Sequence, residues 1–239
     1  MLINMIIMRS NKNYIGTCFA LFILLLTLGS CSKMNDLHDK YLKDGEQVYV
    51  GQPDSAKVMS GNKRALIRYW TSDPKAKKIL LFWNLKKDSL LLDIPTKSRL
   101  EPVDVIVGNL EENNYAFELV TTNSELKNRS IPLPLNIKVY GDLFQASLHN
   151  RKVKSSSYST VTKGLTINWH GAVEKSVAVE MQYVDLNNRS VDTLISPSEK
   201  SSILGSFKSG LSYRTIFLPE KGAIDSFYTE KVEVPIVLP

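Results

Sequence analysis

An all-β chain built as two consecutive β-sandwiches is what this sequence predicts, and three observations predict it. From residue 46 onward, short runs of alternating apolar and polar residues, bounded by Gly, Pro, Asn, Asp and Ser, recur every 8 to 14 residues or so, the spacing of strands and turns. The runs then repeat, with "KILLFWNLKKDSLLLDIP" (78–95) answered by "AVEMQYVDLNNRSVDTLISP" (178–197) and "VDVIVGNLEENNYAFELVTTN" (103–123) by "KSSILGSFKSGLSYRTIFLPE" (200–220), a duplication with a period of about 98 residues. The only two cysteines, Cys18 and Cys31, lie at the N-terminal end. No disulfide can staple the remainder, so its fold rests on its core.

The chain begins with a different pattern. Arg9 and Lys12 precede an apolar run from Ile15 to Leu28, and no acidic residue occurs before Asp36. A spanning helix needs about 20 apolar residues, so this run reads as the hydrophobic part of a secretory signal, with Met8 as well as Met1 suited to start it. The step after it, Leu28-Gly29-Ser30-Cys31, resembles the lipobox of bacterial lipoproteins. The resemblance implies removal of residues 1–30 and acylation of Cys31, a membrane attachment made firm by several chains at about 0.8 kcal/mol per buried methylene. Residues 31–45, "CSKMNDLHDKYLKDG", are expected to form a lipidated tether with one short helix ending at Gly45.

The first sandwich is expected over 46–142. In "RALIRYW" an inward phase of Ala65, Ile67 and Tyr69 is preferred to Leu66, Arg68 and Trp70, because an unpaired buried guanidinium costs too much. Ile79, Leu81 and Trp83 are expected inward on the next strand, leaving Leu80 and Phe82 outward. A polar, Gly/Ser-poor segment (143–151) is expected to link the sandwiches at a fixed angle. The second sandwich, 152–239, contains the alternating "GLTINW", with Leu165, Ile167 and Trp169 inward.

An apolar residue, a short polar link and then a Tyr opening a strand occur as Leu110 to Tyr115 and as Phe207 to Tyr213. This resembles the tyrosine corner of fibronectin type III and related Ig-like sandwiches, and it implies that the Tyr115 and Tyr213 hydroxyls bond upstream backbone. The arrangement of lipobox, "SKMND…LKDGE" and two sandwiches joined by "VYGD…SLHNR" resembles an uncharacterised family of two-domain Bacteroidota surface lipoproteins, found near polysaccharide-utilisation genes. That resemblance implies an outward-facing outer-membrane protein with a binding or scaffold role beside a glycan importer, and no catalytic residues.

The residues agree with a non-enzymatic reading. The sequence has no H-E-x-x-H, G-x-S-x-G, C-x-x-C or Gly-rich phosphate loop. His38, His149 and His170 are dispersed and read as surface residues, so no metal or cofactor is expected. The net charge of +6 includes Arg9 and Lys12, and the basic clusters Lys75/Lys77/Lys78, Lys86/Lys87 and Arg151/Lys152/Lys154 fall between apolar runs. They read as solvated turns without interleaved aromatics, which excludes nucleic acid as the expected partner.

For a glycan ligand, exposed rings would stack on sugar C–H groups, and Trp70 and Phe82 are the candidates. The outward Leu80/Phe82 pair suits cover by a tether, a neighbouring domain or a partner protein equally well. Asp54-Ser55-Ala56, Asp88-Ser89-Leu90 and Asp192-Thr193-Leu194 resemble the O-glycosylation acceptor of exported proteins in that lineage, implying modification at Ser55, Ser89 and Thr193. The function expected is that of a lipid-anchored glycan-uptake accessory. The alternative is a protein–protein adhesion or spacer module, and a cell-envelope glycan hydrolase is third, since it needs a converging carboxylate pair.

Overall fold

The computed structural model describes residues 49–96, 101–234 and 236. The signal, the tether with its short helix, and Cys31 lie outside them. Beyond them the chain forms antiparallel sheets that pack in pairs as tandem β-sandwiches.

The first sandwich comprises β1 (Ser55–Ser60), β2 (Ala65–Trp70), β3 (Lys78–Trp83), β4 (Asp88–Asp93), β5 (Val103–Val107), β6 (Asn113–Thr122) and β7 (Leu133–Val139). They form a β1-β2-β5 sheet and a β4-β3-β6-β7 sheet. The second comprises β8 (Val153–Ser159), β9 (Gly164–Trp169), β10 (Ser176–Asp185), β11 (Ser190–Ile195), β12 (Ser201–Leu204), β13 (Phe207–Phe217), β14 (Phe227–Tyr228) and β15 (Val232–Glu233). Its sheets run β8-β9-β12 and β11-β10-β13, with β14 and β15 both on the far side of β13. The same order twice is the structural form of the internal repeat.

Each sandwich closes on the alternating residues of its facing strands. Ala65, Ile67, Tyr69, Ile79, Leu81, Phe117 and Leu119 fill the first core, and Leu165, Ile167, Trp169, Val179, Met181 and Phe207 the second. Arg68 points outward, where its Nε and Nη2 meet both carboxylate oxygens of Asp104 on β5, each at 2.7 Å.

Two expectations change. Leu80 lies on the outward side of β3 but is buried, because this central strand sets it between Val120 on β6 and Leu91 on β4. The second corner is the other change. Tyr115 is the third residue of β6 and its hydroxyl donates to the Glu111 carbonyl at 3.1 Å, a local corner. Tyr213 instead lies mid-strand in β13, paired with Met181 as Leu119 is with Leu81. Its hydroxyl donates to the Arg151 carbonyl at 2.8 Å, 62 residues upstream. The cause is the short Gly205-Ser206 connection: β13 starts at Phe207, so its strand is well under way by Tyr213.

The segment read as the linker (143–151) is largely taken up by α1 (Asp142–Ser147), which begins one residue before it. The Phe144 backbone N–H at its start donates to the Glu112 carboxylate at 2.9 Å. Phe144 meets Phe227 edge-on at 5.0 Å and Tyr140 at 4.9 Å, which makes a small aromatic core where the sandwiches join. Such pairs add about 1 kcal/mol beyond their burial.

Candidate functional site

A cleft of about 590 Å³ opens at the end of the first sandwich where β3 turns into β4 and β5 leads into β6. Its apolar wall is the half-buried pair Trp83 and Tyr115, both packed on Phe117, at 6.0 Å and 5.9 Å between ring centroids. Because the buried Phe117 backs both rings, their exposed surfaces are held in place. Its polar wall contains Asn84, Asp88, Asn109, Asn113 and Asn114.

Local conformation explains why asparagines gather here. Asn84, Leu85 and Lys86 all have positive φ (50°, 55° and 64°), as does Asn109 at 56°, and Asn tolerates the left-handed region better than other non-Gly residues. The Asn84 amide donates to Asp88 at 3.1 Å, which ties the turn across its base. The Asn113 side chain accepts the Asn114 N–H at 2.8 Å. Amides donate to and accept from hydroxyl groups, carboxylates accept from them, and ring faces accept C–H groups. This combination suits a small polyhydroxylated ligand.

The residues singled out in the sequence lie elsewhere. Trp70 ends β2, half-buried on the outward face of the β1-β2-β5 sheet, with the Lys57 ammonium 6.0 Å from its ring centroid. Phe82 is half-buried on the other sheet, paired with Ser89 and Glu118. The two rings form no common platform. Ser55 begins β1 opposite Trp70, Ser89 is exposed on the edge strand β4, and Thr193 is half-buried within the edge strand β11. All three are strand residues, Ser55 and Ser89 at the start of their strands. Among the described residues no three His, Cys, Asp or Glu side chains converge as a metal site would require.

Sequence reasoning passed over Trp83 because its inward phase marked it as core. The available signal was Asn-rich turns flanking an aromatic at two neighbouring strand ends.

Residues 31–227 match the DUF4998 family, described as a domain of unknown function. The chain is a DUF4998 protein. The match includes the first sandwich with its cleft and the second sandwich as far as the first residue of β14. No curated protein matches the chain. Among solved structures, the FN1–FN3 domains of chicken CNTN1 are 13% identical, with a TM-score of 0.44, over 78% of this chain. The chain spans 64% of that structure's length. A two-domain fibronectin type III segment of chicken tenascin is 15% identical, with a TM-score of 0.29, over 77% of this chain and 97% of that one. The DUF4998 fold described above rests on its own strand order and register.

Proposed function

We propose that this chain is a non-enzymatic binding and scaffold protein that captures a neutral saccharide in the Trp83/Tyr115 cleft. The observation that carries the reading is the meeting of two backed aromatic rings with six Asn, Asp and Glu residues at one end of the sandwich. Glu111 and Glu112 place the cleft beside the join, since the first holds the Tyr115 hydroxyl and the second holds α1. The two sandwiches then act as a stiff arm. Acyl chains on Cys31 would hold that arm at the outer membrane near an importer, raising the local concentration of ligand.

A glycan-array screen with isothermal titration on the full chain in detergent tests this. Saturable binding of a neutral oligosaccharide, weakened about tenfold or more by Trp83→Ala, supports it. No binding, or binding indifferent to both Trp83→Ala and Asn114→Ala, overturns it.

One observation favours protein–protein scaffolding instead. Ile106 on β5 and Ile203 on β12 occupy the same place in the two sandwiches and are 56% and 76% exposed on outward faces. Cross-linking on whole cells from these positions distinguishes that reading by recovering one defined partner.

A further inference from the structure

The second sandwich has a cleft of its own, of about 560 Å³, at the end where β8 begins, β9 ends and β12 begins. Its lining includes Arg151, Lys154, Asn168, Trp169, Ser198 and Lys200. We propose that this cleft binds a small hydroxylated carboxylate, of the size and chemistry of a sugar acid.

Arg151 is the reason. The sequence placed it in a solvated basic turn, yet it is only 2% exposed, the largest fully buried side chain among the described residues. Its Nε and Nη2 donate to the His170 carbonyl at 3.0 and 2.9 Å, and Nη2 also donates to the Glu199 carbonyl at 2.6 Å. Nη1 is buried and has no partner. The guanidinium's hydrogen bonds therefore go to neutral carbonyl oxygens only, with the Glu199 carboxylate acting on it at longer range, and a buried cation without a direct ion pair is costly. Burial accordingly pulls its pKa below the ordinary arginine value. The Glu199 carboxylate next to it is engaged elsewhere, accepting from the Ser196 N–H and the Ser202 hydroxyl.

The side chain is also held in place. The Arg151 N–H donates to Thr215 Oγ1 at 2.8 Å, its carbonyl accepts from Tyr213, and its guanidinium carbon lies 5.4 Å from the centroid of the Trp169 ring. Trp169 is fixed in turn by its indole N–H on Ser202 at 3.1 Å. Lys154 and Lys200 add two exposed ammonium groups that form no ion pair among the described residues. Three cations around one cleft, against the single nearby carboxylate of Glu199, leave a net positive field that favours an anionic group.

The remaining lining narrows the ligand. A lone ion would fill a fraction of 560 Å³. Ser155 and Asn168, bonded to each other at 3.0 Å, and Ser198 present hydroxyl and amide groups at the rim. Those groups match hydroxyls on the body of a ligand whose carboxylate faces Arg151.

The test is titration of the full chain with glucuronate and galacturonate, with glucose, inorganic sulfate and a short poly-glutamate peptide as separate arms. Saturable binding of a uronate at least tenfold tighter than glucose and sulfate, weakened about tenfold by Lys154→Ala/Lys200→Ala and abolished by Arg151→Gln in a folded variant, supports the site. If Arg151→Gln fails to fold, the exposed lysine pair still decides. Equal binding of sulfate or of the peptide overturns the hydroxy-acid assignment. The absence of uronate binding, or indifference to the lysine pair, overturns the site. Neither result touches the neutral-saccharide cleft, whose ligands and variants are different.

Discussion

The Asp225 carboxylate grips Arg64 across the join between the two sandwiches, taking Nε at 2.8 Å and Nη2 at 2.5 Å. The same carboxylate accepts the Asn62 N–H at 2.9 Å, and the neighbouring Ile224 N–H donates to the Ser60 carbonyl at 2.7 Å. The loop after β13 is thus bonded to the turn between β1 and β2. Together with the aromatic cluster around Phe144, it gives the join both polar register and apolar burial, which a flexible linker lacks.

Asp225→Ala is expected to loosen that join while leaving each sandwich folded. The guanidinium is partly exposed, so the coupling in a double-mutant cycle with Arg64→Ala is about 1 kcal/mol despite the two-point geometry. The hydrogen bond from Arg64 lowers the Asp225 pKa, with burial acting against it. A carboxyl lowered on folding stabilises above its unfolded value, near 4, and that contribution is lost as pH falls through the folded value. Small-angle scattering between about pH 6 and pH 3 should show a wider spread of domain angles at the acid end, and in Asp225→Ala at every pH.

Gly61 tests the same join sterically. An added Cβ there would come within 2.5 Å of Asp225 Oδ2 and 2.8 Å of Ile224 Cγ1. Gly61→Ala should therefore displace the loop after β13 and reproduce the scattering change of Asp225→Ala at neutral pH. An unchanged scattering profile would show that the two side chains yield without moving the loop.

Tyr69 is fully buried and its hydroxyl has no partner. Tyr69→Phe removes a desolvated polar atom while keeping the ring, so it should stabilise the chain by about 1 kcal/mol in urea unfolding. Burial pushes the Tyr69 hydroxyl up to about 12. A group raised on folding contributes below its unfolded value, about 10, and that contribution drains away as pH rises toward 12. The variant should therefore lose less stability than the parent between those two pH values.

The elements that sequence reading recovered are those governed by a two-residue period. Ala65, Ile67 and Tyr69 were separable from Leu66, Arg68 and Trp70 because one phase would have buried a charge. The period is silent on what lies beyond one strand. It could not reveal that Val120 and Leu91 close over Leu80, or that a two-residue connection shifts Tyr213 out of a corner position. It misled at Arg151, whose neighbours Lys152 and Lys154 are exposed while Arg151 itself turns inward to carbonyls at positions 170 and 199. The Trp83/Tyr115 cleft was hidden for a related reason: an inward-phase residue at a strand end belongs to the core on one side and to a cleft on the other.

The two tyrosines should separate in mutational cost. Tyr115→Phe removes a hydrogen bond at an exposed position, worth about 0.5 kcal/mol, and water can replace it. Tyr213→Phe removes a buried bond and leaves the Arg151 carbonyl with one acceptor site unfilled, at about 1.5 kcal/mol. Thermal unfolding of the two variants should rank them in that order, and equal costs would mean that Tyr115 also acts through the core.

Thr215 should exceed both, because it is the centre of a network rather than one end of a bond. Its Oγ1 accepts the Arg151 N–H at 2.8 Å and donates to Asn150 Oδ1 at 3.2 Å. The same Asn150 oxygen takes the Thr215 N–H at 2.8 Å and the Thr229 hydroxyl at 2.6 Å. This is the point where β14 and β15 break, so side chains replace the missing ladder bonds and tie the incoming chain at 150–151 to β13. The first sandwich uses the same device: the Thr121 hydroxyl on β6 donates to the Gly51 carbonyl at 2.5 Å. Thr215→Val keeps the shape but strands the Arg151 N–H in a buried site, so it is expected to cost about 2 to 3 kcal/mol. Thr121→Val frees only a carbonyl on an exposed residue and should cost about 1 kcal/mol. Urea unfolding followed by tryptophan fluorescence reports the second sandwich through Trp169. If Thr215→Val proves as mild as Thr121→Val, Asn150 and Thr229 can hold β13 without the threonine, and the network has spare capacity at that break.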